Sequence, residues 1–197
     1  MSSTIKVDNI HNAASTSAMT IDSSGRVLKP NTPAFAAKGQ TAAWRTLPDA
    51  AQWTAIIGGT SNISGQTGIL ANAYAVDFTD SSSVNGALGD VNNNFNASTG
   101  IFTAPVSGFY NFHLGMYAHK VGSSGNYLHI NSLINSVIQA DYTIFGHQAS
   151  NEYFTVSLDR QWFMTANQTF QFALHQNVAN QFSFYGAYVF FSGYLIG

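Results

Sequence analysis

Cysteine is absent from this chain, which excludes disulfides, zinc–thiolate centres and thiol nucleophiles together. Charge is nearly as scarce: only 8% of the 197 residues are charged, against about 25% in ordinary soluble domains. The basic residues are also lopsided, with Lys6, Arg26, Lys29, Lys38 and Arg45 in the first quarter and only Lys120 and Arg160 beyond it. The remainder is mildly acidic and offers no basic stripe for a phosphate backbone, so nucleic acid is not an expected partner. No apolar run is long enough to span a bilayer as a helix, and membrane insertion is not expected. The opening MSSTIKVDNIHNAAS lacks the apolar stretch of a secretory signal. A surface so short of charge has little protection against sticking. It suits an assembly that buries much of its area between subunits.

Carboxylates are sparse as well, and none is paired in a way that suggests acid–base work. Nucleophile motifs, phosphate loops and zinc-binding helices are missing too. The expectation is a binding or structural protein without cofactor, not an enzyme.

What is present is a succession of strand-like runs broken by Gly, Asn and Ser clusters. They are Ile69–Phe78, Ile101–Ala104, Phe109–His119, Tyr127–Leu133, Ser136–Thr143, Tyr153–Met164, Thr169–Gln176 and Phe182–Ile196, with Pro33–Lys38 ahead of them. No long segment has helical periodicity, and many short strands at regular spacing predict an antiparallel sandwich or jelly roll over residues 33–197. Residues 39–68, rich in Gly, Ala and Thr, read as a loop inserted between the first two strands. Residues 1–32 read as a separate element: Thr4–Ile10, Ala18–Ile21, a turn at Asp22–Gly25, then Arg26–Leu28. Strands this short cannot hold a core alone, so the segment is expected to anchor the head to another protein or to its own copies.

Alternation divides Phe109–His119 into two faces. Tyr110, Phe112 and Leu114 share one, and with Phe102 they are the expected core. The other face carries Phe109, Asn111, His113, Gly115, Tyr117 and His119. Near the C-terminus, Tyr188, Val189, Phe190 and Phe191 put bulk on both sides, which a solvated outer face should not do. Burial against sister subunits explains this, with Phe109, His113, Tyr117, Tyr188 and Phe190 as the expected seam.

From Asp90 the chain reads DVNNNFNASTGIFTAPVSGFYNFHL. The spacing of Asp90, Phe95, Phe102, Gly108, Tyr110 and Phe112 resembles the signature of the complement component one-q globular head, a branch of the tumour-necrosis-factor-like jelly rolls. That family has aromatics where this chain has Val84 and Leu114. The run FFSGYLIG is similar to the family's closing strand, with Phe191, Gly193, Tyr194 and Leu195 in register. The resemblance implies a homotrimeric binding module whose trimer is built from these same strands. Separately, the opening STIKVDNIHNAASTSAMTIDSSGRVLKPNTPAF resembles N-terminal segments of tail-fibre and other structural proteins of marine bacteriophages. It implies a virion protein made in the host cytoplasm, with residues 1–32 contacting other virion proteins and the head serving as fibre tip or as capsid or tail decoration. A bacterial carbohydrate- or protein-binding module outside any virion is the alternative.

Six histidines raise the question of metal. His113 and His119 share a strand face but stand about 20 Å apart, so one chain cannot chelate through them. Three copies of His113 on a threefold axis are the remaining arrangement, against half-buried, hydrogen-bonded histidines. Asp77, Asp80 and Asp90 lack the periodic spacing of a calcium loop and suit turns. Trp44, Trp53, Asn126, Phe145 and His147 lie near predicted loops. There, stacking and neutral hydrogen bonds could recognise a host-surface glycan or protein.

Overall fold

The structure is a computed structural model that describes residues 7–15, 17–28, 32–39, 42–47, 54–55, 78–79, 89–90, 93–97, 99–121, 126–141, 143–147 and 151–197. Strands β1 (Asn9–His11), β2 (Ser17–Ile21) and β3 (Val27–Leu28) form an antiparallel sheet of their own, in the order β1-β2-β3. The turn between β2 and β3 is set by Asp22, whose Oδ1 accepts hydrogen bonds from the backbone N–H of Ser24 and Arg26. Gly25 completes it at φ +77°, a left-handed conformation that glycine adopts without a Cβ penalty.

Two further sheets make the head. The first contains β4 (Ala34–Gly39), β5 (Trp44–Thr46), β7 (Phe78–Thr79), β10 (Gly108–Lys120), β14 (Glu152–Met164) and β16 (Phe182–Leu195). Its order is β14-β10-β16-β4-β7, with β5 also on β16. The second contains β6 (Thr54–Ala55), β8 (Phe95–Asn96), β9 (Ile101–Thr103), β11 (Asn126–Ile134), β12 (Val137–Ile138), β13 (Thr143–His147) and β15 (Thr169–Gln176). Here the order is β12-β11-β15-β9-β8, with β13 on β11 and β6 on β15. Every strand pairing in the three sheets is antiparallel.

Period-two alternation in β10 buries Tyr110, Phe112, Leu114, Met116 and Ala118 between these sheets. Phe35, Val189 and Phe191 join them from the same sheet. Phe102, Leu128, Ile130, Phe170, Phe172 and Leu174 face them from the other. The sheets meet ring to ring: Phe112 lies flat on Phe170, with centroids 3.7 Å apart and planes within 3°. Phe102 packs 5.4 Å from both Tyr110 and Phe112. The Tyr110 hydroxyl donates to the Val106 carbonyl at 2.8 Å, which satisfies the polar tip of a buried ring. Burial outweighs that bond and raises the Tyr110 pKa.

The aromatic ladder of the sequence thus has a physical meaning. Asp90 accepts from the backbone N–H of Asn94 and Phe95 at 2.9 and 2.8 Å, closing the loop that delivers Phe95 onto Phe35, 4.5 Å away. Gly193 is required for a different reason. A Cβ there would sit 2.6 Å from carbons of both Phe112 and Phe35, so the rings pack directly on the backbone.

Two expectations are corrected. The run Ser136–Thr143 is not one strand but the short β12, a break, and the start of β13. Asp141 lies in the break because its carboxylate accepts from Ser132 N–H and hydroxyl and from Arg160 Nε. Arg160 also donates to the Asp141 carbonyl and to Thr143 Oγ1. These bonds hold the chain away from the ladder and tie β14 to the second sheet. The run Phe182–Ile196 is likewise irregular. Met116 pairs with Val189 but Ala118 with Phe184, so Tyr117 alone faces residues 185–188 across a wide bulge. Of the expected strand Ile69–Phe78 only Phe78 is described, within β7; the rest lies outside the described residues, as does Val84.

Candidate functional site

The outer face of the first sheet is where side chains depart most from what solvent favours. Register places Phe109 opposite Phe163, Asn111 opposite Gln161, His113 opposite Asp159 and His119 opposite Tyr153. On the other side of β10, Asn111 faces Tyr194, His113 faces Ser192 and Gly115 faces Phe190. Phe109, Tyr153, Phe163, Tyr188, Phe190 and Tyr194 remain between 42% and 56% exposed. A solvated sheet face is normally polar; this one is aromatic at both ends and polar between.

At one end Phe109 and Phe163 meet edge to face at 5.2 Å. In the middle the His113 Nδ1 lies 3.0 Å from Asp159 Oδ1, an exposed contact. Beside it, Lys38 Nζ stands 5.8 Å over the Phe190 ring, within cation–π range. The far end is organised by the β16 bulge and by β5, which pairs with Ser183–Tyr185. Trp44 on β5 lies 5.4 to 5.8 Å from the rings of Tyr117, His119, Tyr153 and Tyr185. Tyr188 completes the cluster, 4.9 Å from Tyr185 and 6.1 Å from Tyr117. His119 stacks on Tyr153 at 4.2 Å.

The five residues expected in the seam, Phe109, His113, Tyr117, Tyr188 and Phe190, therefore share one continuous face. Tyr153, Phe163, Tyr185 and Tyr194 share that face with them. The first two were legible as outward positions of an alternating strand. Tyr185 is brought in by the bulge. Of the expected core residues, Phe102, Tyr110, Phe112 and Leu114 are fully buried.

The recognition candidates divide. Trp44 is on a strand, not a free loop, and belongs to the aromatic cluster. Asn126 opens β11, is only 5% exposed and donates its amide to Gln181 Oε1 at 2.9 Å. It is committed to the fold and not displayed as a contact. Phe145 lies in β13 and packs against the core near Phe154, because β13 completes the sheet beside β11. His147 ends β13 opposite Asn126; its side chain, and all of Trp53, lie outside the described residues. Within one chain, and among the described residues, no three or more His, Asp or Glu are gathered to hold a metal ion. No helix among them is long and apolar enough to cross a membrane.

No protein-family model and no curated protein sequence matches this chain. Among solved structures, the globular domain of zebrafish complement 1qA protein superposes with a TM-score of 0.50 at 16% identity, over 84% of this chain and 98% of that one. The fold is the complement one-q type of jelly roll. At that identity the likeness is one of fold alone, and the aromatic face has to be argued from this chain's own residues.

Proposed function

We propose that this chain is a bacteriophage virion structural protein. In this reading it is a homotrimeric jelly-roll head, held on the particle by residues 1–32 and projecting as a fibre tip or as a capsid or tail decoration that contacts the host surface. The observation that carries the proposal is the aromatic outer face of β14, β10 and β16. Six half-exposed aromatic side chains on one sheet face resemble the apolar interior of an obligate interface. Three copies closing that face about an axis would remove it from water, and binding, without catalysis or cofactor, is the role such a head performs. The self-contained sheet of β1–β3 supports attachment elsewhere. It exposes Ile10 and Val27, and three short strands gain stability chiefly by docking. The likeness of its sequence to phage structural proteins supports the particle as the place where it docks.

Light scattering of the purified chain tests the assembly: the expected mass is three times 21.2 kDa, and a monomer at micromolar concentration overturns it. Immunogold labelling of lysates from the source culture tests the location. Gold on intact particles is expected, and labelling of cells without particles favours the alternative. That alternative, a bacterial carbohydrate- or protein-binding module outside any virion, draws on one observation. An open cleft of about 760 Å³ is lined by the polar Asp90, Asn93, Asn94, Asn96, Thr99 and Thr103 beside apolar residues that include Phe95 and Ile101, a mixed lining of the kind that binds sugars. A glycan array probed with the head separates it from a passive decoration.

A further inference from the structure

The outer face of the second sheet, remote in the fold from the aromatic seam, brings two imidazoles together. His129 of β11 stands directly opposite His175 of β15. Both point away from the core, because their neighbours Leu128, Ile130 and Leu174 are buried between the sheets. The ring centroids are 5.5 Å apart and the planes inclined by 31°. Two imidazoles on one tetrahedral ion, each bound through nitrogen at about 2.0–2.1 Å, need centroids roughly 5 to 5.5 Å apart. The observed pair is already at that spacing. Tyr127, two residues before His129 on the same face, stacks on its ring at 4.3 Å and 19°, and lies 6.2 Å from His175. This stacking limits the rotation of the His129 ring. On the other flank, Ile144 of β13 is the residue opposite His129.

We propose that His129 and His175 form a two-histidine site for a divalent transition ion of the zinc class, with the remaining coordination positions open to water or to an incoming ligand. Imidazole donors suit zinc, nickel and copper and not the oxygen-seeking calcium or magnesium.

The test is calorimetric titration of the full chain with Zn²⁺ at neutral pH. The expected result is one ion per chain. His129→Gln and His175→Gln should each weaken binding by about tenfold or more, because the second imidazole acts at high effective concentration only while the first is bound. The double variant, with no imidazole left at the site, should lose saturable binding there altogether, and His113→Gln should bind like the parent. Circular dichroism checks that each variant is folded. Should a variant not fold, ring-nitrogen nuclear magnetic resonance on the unmodified chain replaces it: Zn²⁺ should shift the His129 and His175 signals together. Absence of saturable binding, retention of binding by the double variant, or shifts confined to other histidines overturns the proposal.

Discussion

Replacing Phe112 by alanine should cost the head about 3–5 kcal/mol, and the upper half of that range is the expectation. The ring is fully buried and touches both sheets. It is stacked on Phe170 at 3.7 Å, edge-on to Phe102 at 5.4 Å, and within 6.5 Å of Phe35, Tyr110 and Phe191. Loss of the stacked Phe170 pair adds about 0.5–1.5 kcal/mol to the burial term. Collapse around the hole is hindered, because the ring rests on the Gly193 backbone, which is fixed in the sheet. Against a typical domain stability of about 5–15 kcal/mol this is a large fraction. Phe109→Ala, on the neighbouring residue but the opposite face, should cost single-chain stability only about 0.5–1.5 kcal/mol, the worth of its ring pair with Phe163. It should instead weaken association, if the aromatic face is the seam. The assay is urea denaturation followed by tryptophan fluorescence. Protein concentration is held fixed, since subunit association contributes by mass action. Midpoints should separate widely while slopes stay alike. Equal destabilisation by the two substitutions, or a Phe112→Ala cost under about 1 kcal/mol, would refute the assignment of faces.

Gly193→Ala should lower stability by about 1–3 kcal/mol through overpacking, seen as a lower melting temperature; an unchanged melt would mean that the rings of Phe35 and Phe112 can retreat. Arg160→Met strands the largely buried Asp141 carboxylate and should cost roughly 3 kcal/mol, with Asp141→Asn in the same chain recovering part of it; additive losses in a double-mutant cycle would argue against the pair. The Asp22 carboxyl is held below the usual 3.8 by the Arg26 backbone bond and then by its side chain. A depressed acid contributes stability that is present above its unfolded value and lost as pH falls through the folded one. Nuclear magnetic resonance should therefore show Asp22 titrating below 3.8 while the β2–β3 turn loosens in the same range, and a midpoint above it contradicts the hydrogen bonding. Deleting residues 1–32 should leave a folded head that no longer joins particles; an unfolded head would place β1–β3 within its core.

Much of this architecture is legible in local pattern, for reasons that are themselves local. Alternation in Phe109–His119 fixes both faces of β10, because a one-residue slip would exchange every side chain between core and surface. The aromatic spacing from Asp90 to Phe112 survives because Asp90 shapes its own loop and Phe35, Phe95 and Phe102 must stack. What escaped depends on distant partners. Trp44 sits in a Gly- and Ala-rich stretch with no strand pattern, and only pairing with Ser183–Tyr185 draws it into the sheet. The break at Asp141 is set by Ser132 and Arg160. Asn126 reads as a loop residue until Gln181 is seen to hold its amide. The His129–His175 pairing depends on the register between β11 and β15, which no short window of sequence contains.

The position of β16 has a consequence for how the head is made. This strand lies between β10 and β4 in the sheet order, yet it follows both in the chain. During translation the two neighbours emerge first, and each presents an unpaired edge toward a gap that nothing upstream can fill. The aromatic residues flanking that gap are then open to water and to other nascent chains. Pairings between segments so far apart in sequence also form slowly. A chain cut short before Phe182 thus carries two open edges, the long one of β10 and the shorter one of β4, and unpaired edges of this kind template aggregation. Completion of one central strand separates a closed sandwich from a sticky half-sheet.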